Sequence, residues 1–150
     1  MTTKQKILCH TIIIRALLWP KWVNKLTGNV TKHAFIPRPN GKDKDGLSIQ
    51  ILNDFNLSSS SSRKQITNLS RNFSNTVGTA SLHIGLIRDY ESSIYSGLDV
   101  IPLPSPNNPD HGGITGLPAI SKIPYDVTNP LNREIEHKAK YLANISRYIS

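Results

Sequence analysis

Ile7-Leu8-Cys9-His10-Thr11-Ile12-Ile13-Ile14-Arg15-Ala16-Leu17-Leu18 is the stretch on which the fold class turns. Its β-branched residues crowd an α-helix and suit a pleated backbone, so it predicts a buried first strand that stops at Trp19-Pro20, with Arg15 near its end. Lys4 and Lys6 ahead of an apolar run have the look of a secretory signal, but His10 and Arg15 interrupt the run and no small-residue cleavage site follows it. It also falls short of the ~20 apolar residues that a bilayer-spanning helix needs. No membrane association is expected.

Further strands follow from alternation. Leu47-Ser48-Ile49-Gln50-Ile51-Leu52 alternates apolar and polar residues and predicts a second strand. Val77 to Tyr90, with Val77, Leu82, Ile84, Leu86 and Ile87, predicts a central strand ending in Arg88-Asp89. Leu98 to Leu103 predicts a strand that Pro102 confines to an edge or a terminus. Trp22 to Val30 reads as a turn with a short edge strand. The stretches 36–46 and 104–118 are punctuated by Pro, Asn-Gly, Asp-Gly and Gly-Gly and read as loops. Five serines, Ser58 to Ser62, lie in a tract too poor in apolar residues to repay the entropy of ordering, which predicts a mobile loop over 56–64. Ile66, Leu69 and Phe73 allow a short amphipathic helix after it.

The carboxyl end carries the clearest helical pattern. Asn129 is a cap and Pro130 a first-turn residue, and Leu131, Ile135, Ala139, Leu142, Ile145 and Ile149 recur at spacings of three and four. The helix is expected over about 130–148, docked by Leu131, Ile135, Leu142 and Ile145. The whole is an α+β chain: one domain over 1–150, a small mixed or antiparallel sheet, a C-terminal amphipathic helix and long loops.

Eighteen Lys and Arg against ten Asp and Glu give a formal charge of +8, which attracts polyanions. On the expected helix Arg133, Lys140 and Arg147 recur every seven residues, a basic stripe with His137 and Asn144 beside it. Arg38, Lys42, Lys44, Arg63 and Lys64 add cations in expected loops, and Trp19, Trp22 and Tyr125 are aromatics able to stack on bases where exposed. The reading is a small basic accessory or interaction module, cytoplasmic, contacting nucleic acid or a nucleoprotein partner without catalysis. The lone Cys9 excludes an intramolecular disulfide and suits a reducing compartment. Oligomeric state is not legible.

Signatures of the common enzyme classes are missing: there is no phosphate-binding loop, no dinucleotide-binding glycine motif, no nucleophile elbow and no His-Glu-x-x-His. His10, His33, His83, His111 and His137 have no ligand partner at metal-binding spacing, so neither a metal nor a cofactor is expected. The most suggestive local arrangement is Asp110-His111-Gly112-Gly113, a histidine that flanking glycines can present to a ligand as general acid or base.

The order of an apolar strand ending in Arg15, then Val30 to Phe35, Asp45 to Ile49, Asp99 to Leu103 and Pro109 to Gly116, resembles a group of small uncharacterised prokaryotic proteins. These carry Ala-Phe, Leu-Ser-Val and Pro-x-His-x-x-Ile-x-Gly steps in that sequence. The resemblance implies a prokaryotic, intracellular origin and carries no activity with it; the serine-rich insert and the loop at 104–109 depart from the pattern. A second resemblance, to ADP-ribosyltransferase-like folds, implies an alternative in which the chain is a small enzyme or effector acting on a nucleotide or nucleic acid. Arg15 would then meet the pyrophosphate of NAD, Ser48 the nicotinamide ribose, and His111 would take the last position of the site. Convergence of Arg15 and His111 on one cleft would favour that alternative.

Overall fold

The computed structural model describes residues 11–37, 43, 46–52, 78–106, 110–118 and 130–149, apart from the side chains of 130 and 131. Among them six strands form one antiparallel sheet: β1 (Ile12–Leu17), β2 (Leu47–Leu52), β3 (Gly78–His83), β4 (Asp99–Pro102), β5 (His111–Thr115) and β6 (Arg147–Ile149). Their order across the sheet is β4-β5-β2-β1-β3-β6. Two α-helices, α1 (Ile84–Arg88) and α2 (Pro130–Ile145), and two 3-10 turns (Pro20–Trp22 and Lys32–Phe35) complete an α+β architecture. No helix of the described residues is long and apolar enough to cross a membrane.

The isoleucine-rich stretch forms an inner strand, pairing with β2 on one side and β3 on the other. Alternation then assigns the faces. One face carries Ile13, Leu17, Leu47, Ile49, Ile51, Ala80, Leu82, Val100 and Ile114, and it is covered by Ala139 and Leu142 of α2, Ala34 and Phe35 of the second turn, Trp22, and Ile84 and Ile87 of α1. The other face carries Ile14 and Leu52, a small separate apolar cluster against Ile149. β4 lies at a sheet edge and ends on Pro102, where a missing N–H costs no ladder bond.

Five sequence expectations are corrected. Arg15 is the fourth of six residues in β1, not its end. The predicted strand over 77–90 stops at His83, because Ile84 and Ile87 are buried three apart while Leu86 is 41% exposed, a helical spacing that forms α1. Residues 22–30 hold only a single bridge, Val23 to Val30, around a turn that Asn24 Oδ1 closes on the Leu26 N–H at 2.9 Å. His111–Thr115, read as loop, is the strand β5, paired with both β2 and β4. Its glycines serve close packing: a Cβ at Gly112 would come within 2.8 Å of the Ile101 carbonyl and of Ile51 Cδ1. Finally, the last helix stops at Ile145 instead of about 148. Ser146 closes it by donating Oγ–H to the Ala143 carbonyl at 2.8 Å, and 147–149 turns back as β6 against β3. The start of the predicted first strand over 7–10, the serine tract, the short helix at 66–73, the Asn129 cap, Leu131, Tyr125, Arg38, Lys42, Lys44, Arg63 and Lys64 lie outside the residues so described.

Ile135, Ala139 and Leu142 of α2 are fully buried, as their spacing predicts, and so is Lys138. Its Nζ donates to the Gly116 carbonyl at 2.5 Å and to Ser96 Oγ at 3.1 Å, and it pairs with Glu134 Oε2 at 2.6 Å. It also lies 5.8 Å from the Tyr90 ring centroid. One ammonium thus pins α2 to the 90–97 segment and to the end of β5.

Candidate functional site

Basic groups from three distant parts of the chain meet along one side of α2. Arg133 and Lys140, seven residues and so about 10 Å apart along the helix axis, are both exposed. Between them stands Glu136, whose Oε1 pairs with Lys32 Nζ and lies 3.6 Å from Lys140 Nζ. Lys32 opens the 3-10 turn packed on α2, so a single carboxylate joins the helix to a turn more than one hundred residues earlier. His33, beside it, is held below its ordinary 6.5, first by desolvation and then by the charges of Lys21 and Lys32, against which Glu136 acts only partly. Lys21 belongs to the first 3-10 turn, and the Thr31 hydroxyl donates to its carbonyl at 2.7 Å. Lys25 is exposed at the tip of the adjoining turn. Trp19, 45% exposed, stands edge-on to the buried Trp22, with centroids 4.8 Å apart.

Arg15 holds this assembly from below. It is buried on the helix-covered face of β1, donates from Nε to the Ala34 carbonyl at 2.6 Å and from Nη1 to the Ser48 carbonyl at 2.6 Å, and lies 5.3 Å from the Trp22 ring centroid. The guanidinium therefore ties both 3-10 turns to β1 and β2. It faces packed protein, and its two backbone hydrogen bonds give it the part of a strut.

Arg147 is separated from the other two members of the expected stripe. Cross-strand from Ser81, it projects from the sheet face opposite α2. The seven-residue spacing is real for Arg133 and Lys140 and ends with the helix.

The opposite sheet face holds a different pairing. Ser48 and His111 lie on neighbouring strands, offset by two residues on one face, with Ser48 Oγ 2.7 Å from His111 Nε2. His111 Nδ1 is 3.0 Å from the Leu103 carbonyl, which can only accept, so Nδ1 carries the proton. In the neutral ring Nε2 is then the acceptor and Ser48 Oγ–H donates to it. Both residues are half-buried, and the buried Asp43 accepts the Ser48 N–H at 3.3 Å. Of the three residues cast as an NAD site, Ser48 and His111 touch, while Arg15 reaches only the Ser48 backbone and does so from the other side of the sheet. Arg15 and His111 do not open onto one cleft.

A third polar cluster surrounds Tyr90, whose hydroxyl is 2.6 Å from His137 Nδ1. Burial pushes the Tyr90 phenol above its ordinary value. An open groove of about 520 Å³ beside it is lined by Tyr90, Glu91, Ser92, Ser93, Tyr95 and Gly97. Among the described residues no three His, Cys, Asp or Glu side chains gather as a metal site.

No family model, no curated protein and no solved structure matches the chain.

Proposed function

We propose that this chain is a basic interaction module that docks on the phosphate backbone of nucleic acid through the side of α2 flanked by the two 3-10 turns. The observation that carries the reading is the meeting of Lys32 and Lys140 at Glu136 beside His33, with Lys21 close enough to act on His33 and Arg133 exposed one turn before Glu136 on the helix. Charge gathered on one face raises the local potential far more than the same charge scattered over the surface. Exposed Lys21, Lys25 and Lys140 supply phosphate contacts that position the chain without reading sequence, and Trp19 offers a ring for an unstacked base. Binding of this kind needs no reacting group, in keeping with an accessory role. One cysteine and the resemblance to small prokaryotic proteins fit a cytoplasmic setting.

Fluorescence anisotropy with a labelled 20-base-pair duplex tests the assignment of the face. Changing Lys21, Lys25 and Lys140 together to Gln should weaken binding by more than tenfold at low salt, and Arg147→Gln should leave it nearly unchanged. Equal losses from both variants would mean that charge in general, and not this face, does the binding. Trp19→Ala should weaken a single strand by roughly tenfold, from the ~1–3 kcal/mol of one base–aromatic stack, and spare the duplex.

A further inference from the structure

The Ser48–His111 pair has no part in that binding face, and its geometry exceeds what strand pairing requires. We infer that Ser48 is an activated nucleophile, with His111 as its general base, able to attack an uncharged carboxylic ester. Three features support this. The Leu103 carbonyl fixes the tautomer through Nδ1, leaving Nε2 free to take the hydroxyl proton, as in any nucleophile–base–orienter chain. The hydroxyl is at transfer distance, 2.7 Å. Ser48 is half-buried and pairs directly with Gly113, over which the Leu103 side chain lies, a Cβ there coming within 2.9 Å of Leu103 Cδ1, so an acyl group at Ser48 would meet an apolar neighbour across the strand.

The surroundings select the electrophile. Register places Ala16, Gln50, Gly113 and Thr115 on this face near the pair, and none of them is cationic. The Asp43 carboxylate accepts the Ser48 N–H, and the Arg15 guanidinium reaches the Ser48 carbonyl only from the other side of the sheet, which disfavours an anionic phosphate ester. A neutral acyl group fits, and Gln50, cross-strand from His111 on the same face as Ser48, is the residue whose amide would serve the developing oxyanion.

In the reaction Ser48 Oγ bonds to the acyl carbon while the bond from that carbon to the leaving oxygen breaks. The hydroxyl proton passes to His111 Nε2 and on to the leaving alcohol or phenol. Water then repeats the sequence: its proton goes to Nε2, its oxygen takes the acyl group, and Ser48 Oγ recovers the proton. Ester and water become acid and alcohol, with no other reactant.

The test is covalent capture by a neutral alkyl fluorophosphonate on the intact chain, read by whole-protein and peptide mass. One adduct per chain at Ser48 is expected, lost in Ser48→Ala and slowed about a hundredfold in His111→Gln. No adduct, adducts at other serines only, or an undiminished rate in His111→Gln would overturn the inference. Should the His111 variant fail to fold by circular dichroism, Ser48→Cys serves instead. A thiol sharing its proton with His111 should be alkylated by iodoacetamide at least tenfold faster than free cysteine, site-resolved from Cys9 by peptide mass, and a rate equal to free cysteine would contradict it.

Discussion

Lys138 offers the sharpest test of how the basic face is held in place. Replacing it by Met keeps the unbranched stem and its burial but removes the ammonium. The Gly116 carbonyl then loses a charged donor at 2.5 Å, Ser96 Oγ loses its own at 3.1 Å, and Glu134 loses an ion-pair partner. Glu134 is partly exposed and recovers solvation; the half-buried Gly116 carbonyl recovers only part of it, and loss of a charged donor costs about 1–3 kcal/mol. The ammonium's own desolvation penalty is relieved at the same time, so Lys138→Met should cost about 2 kcal/mol. Lys138→Ala adds the vacated stem, which brings the loss to about 3–5 kcal/mol. Urea unfolding followed through Trp22 and by circular dichroism measures both. With a slope of ~2 kcal/mol per molar, Met should lower the midpoint by about 1 M and Ala by about 2 M. A Met variant as stable as the parent, or an Ala variant equal to Met, would show that the ammonium is no tether and that α2 docks through its apolar stripe alone.

Three other outcomes follow from the same contacts. Gly112→Ala should cost about 1–3 kcal/mol by thermal or urea denaturation, because the new methyl meets a carbonyl and an isoleucine at 2.8 Å in a paired strand. Truncation after Ile145 should remove β6 and expose the outer edge of β3, lowering stability by about 2 kcal/mol, whereas truncation at Asn129 should abolish the fold, since Ile135, Ala139 and Leu142 go with it. His33 is held neutral below its ordinary 6.5, so a bound phosphate that favours its charged form should draw in a proton. Affinity should therefore rise as pH falls from 6.5 through the lowered value, and calorimetry in buffers of different ionisation heat should register proton uptake that His33→Gln abolishes. The stability of the free chain runs the other way over that window, because the unfolded state takes up the proton more readily.

What the sequence disclosed and what it hid divide along physical lines. β1, β2 and β4 were legible because β-branched or alternating residues line a half-covered sheet. β5 was not, since His-Gly-Gly-Ile-Thr has turn chemistry by composition, and only the close approach of β4 and the Ile49 and Ile51 side chains explains its glycines. β6 was hidden by the continuing helical spacing through Arg147 and Ile149, which tertiary pairing with β3 overrides. Lys138 carried a readable signal: it falls three residues after Ile135 and four before Leu142, on the apolar stripe itself, which marks a lysine buried with its helix. Arg133 and Lys140 could be found by spacing. Lys32 and His33 could not, because only the packing of the Lys32–Phe35 turn on α2 brings them to Glu136, nor could Lys21, which tertiary structure sets near His33. Ser48 was placed off the core by alternation, but its contact with His111 depends on the β2–β5 register, which no local pattern encodes.

The central claim is that a contiguous basic face contacts phosphates, and the salt dependence of duplex binding tests it most directly. With Lys21, Lys25 and Lys140 each neutralising one phosphate, log Kd should vary against log salt with a slope of magnitude roughly 3, at about 0.9 per contact, affinity falling as salt rises. The Lys21, Lys25, Lys140 to Gln variant should bring the slope close to zero, while Arg147→Gln should preserve it. A parent protein whose affinity ignores salt, or a triple variant that keeps the parental slope, would contradict the account.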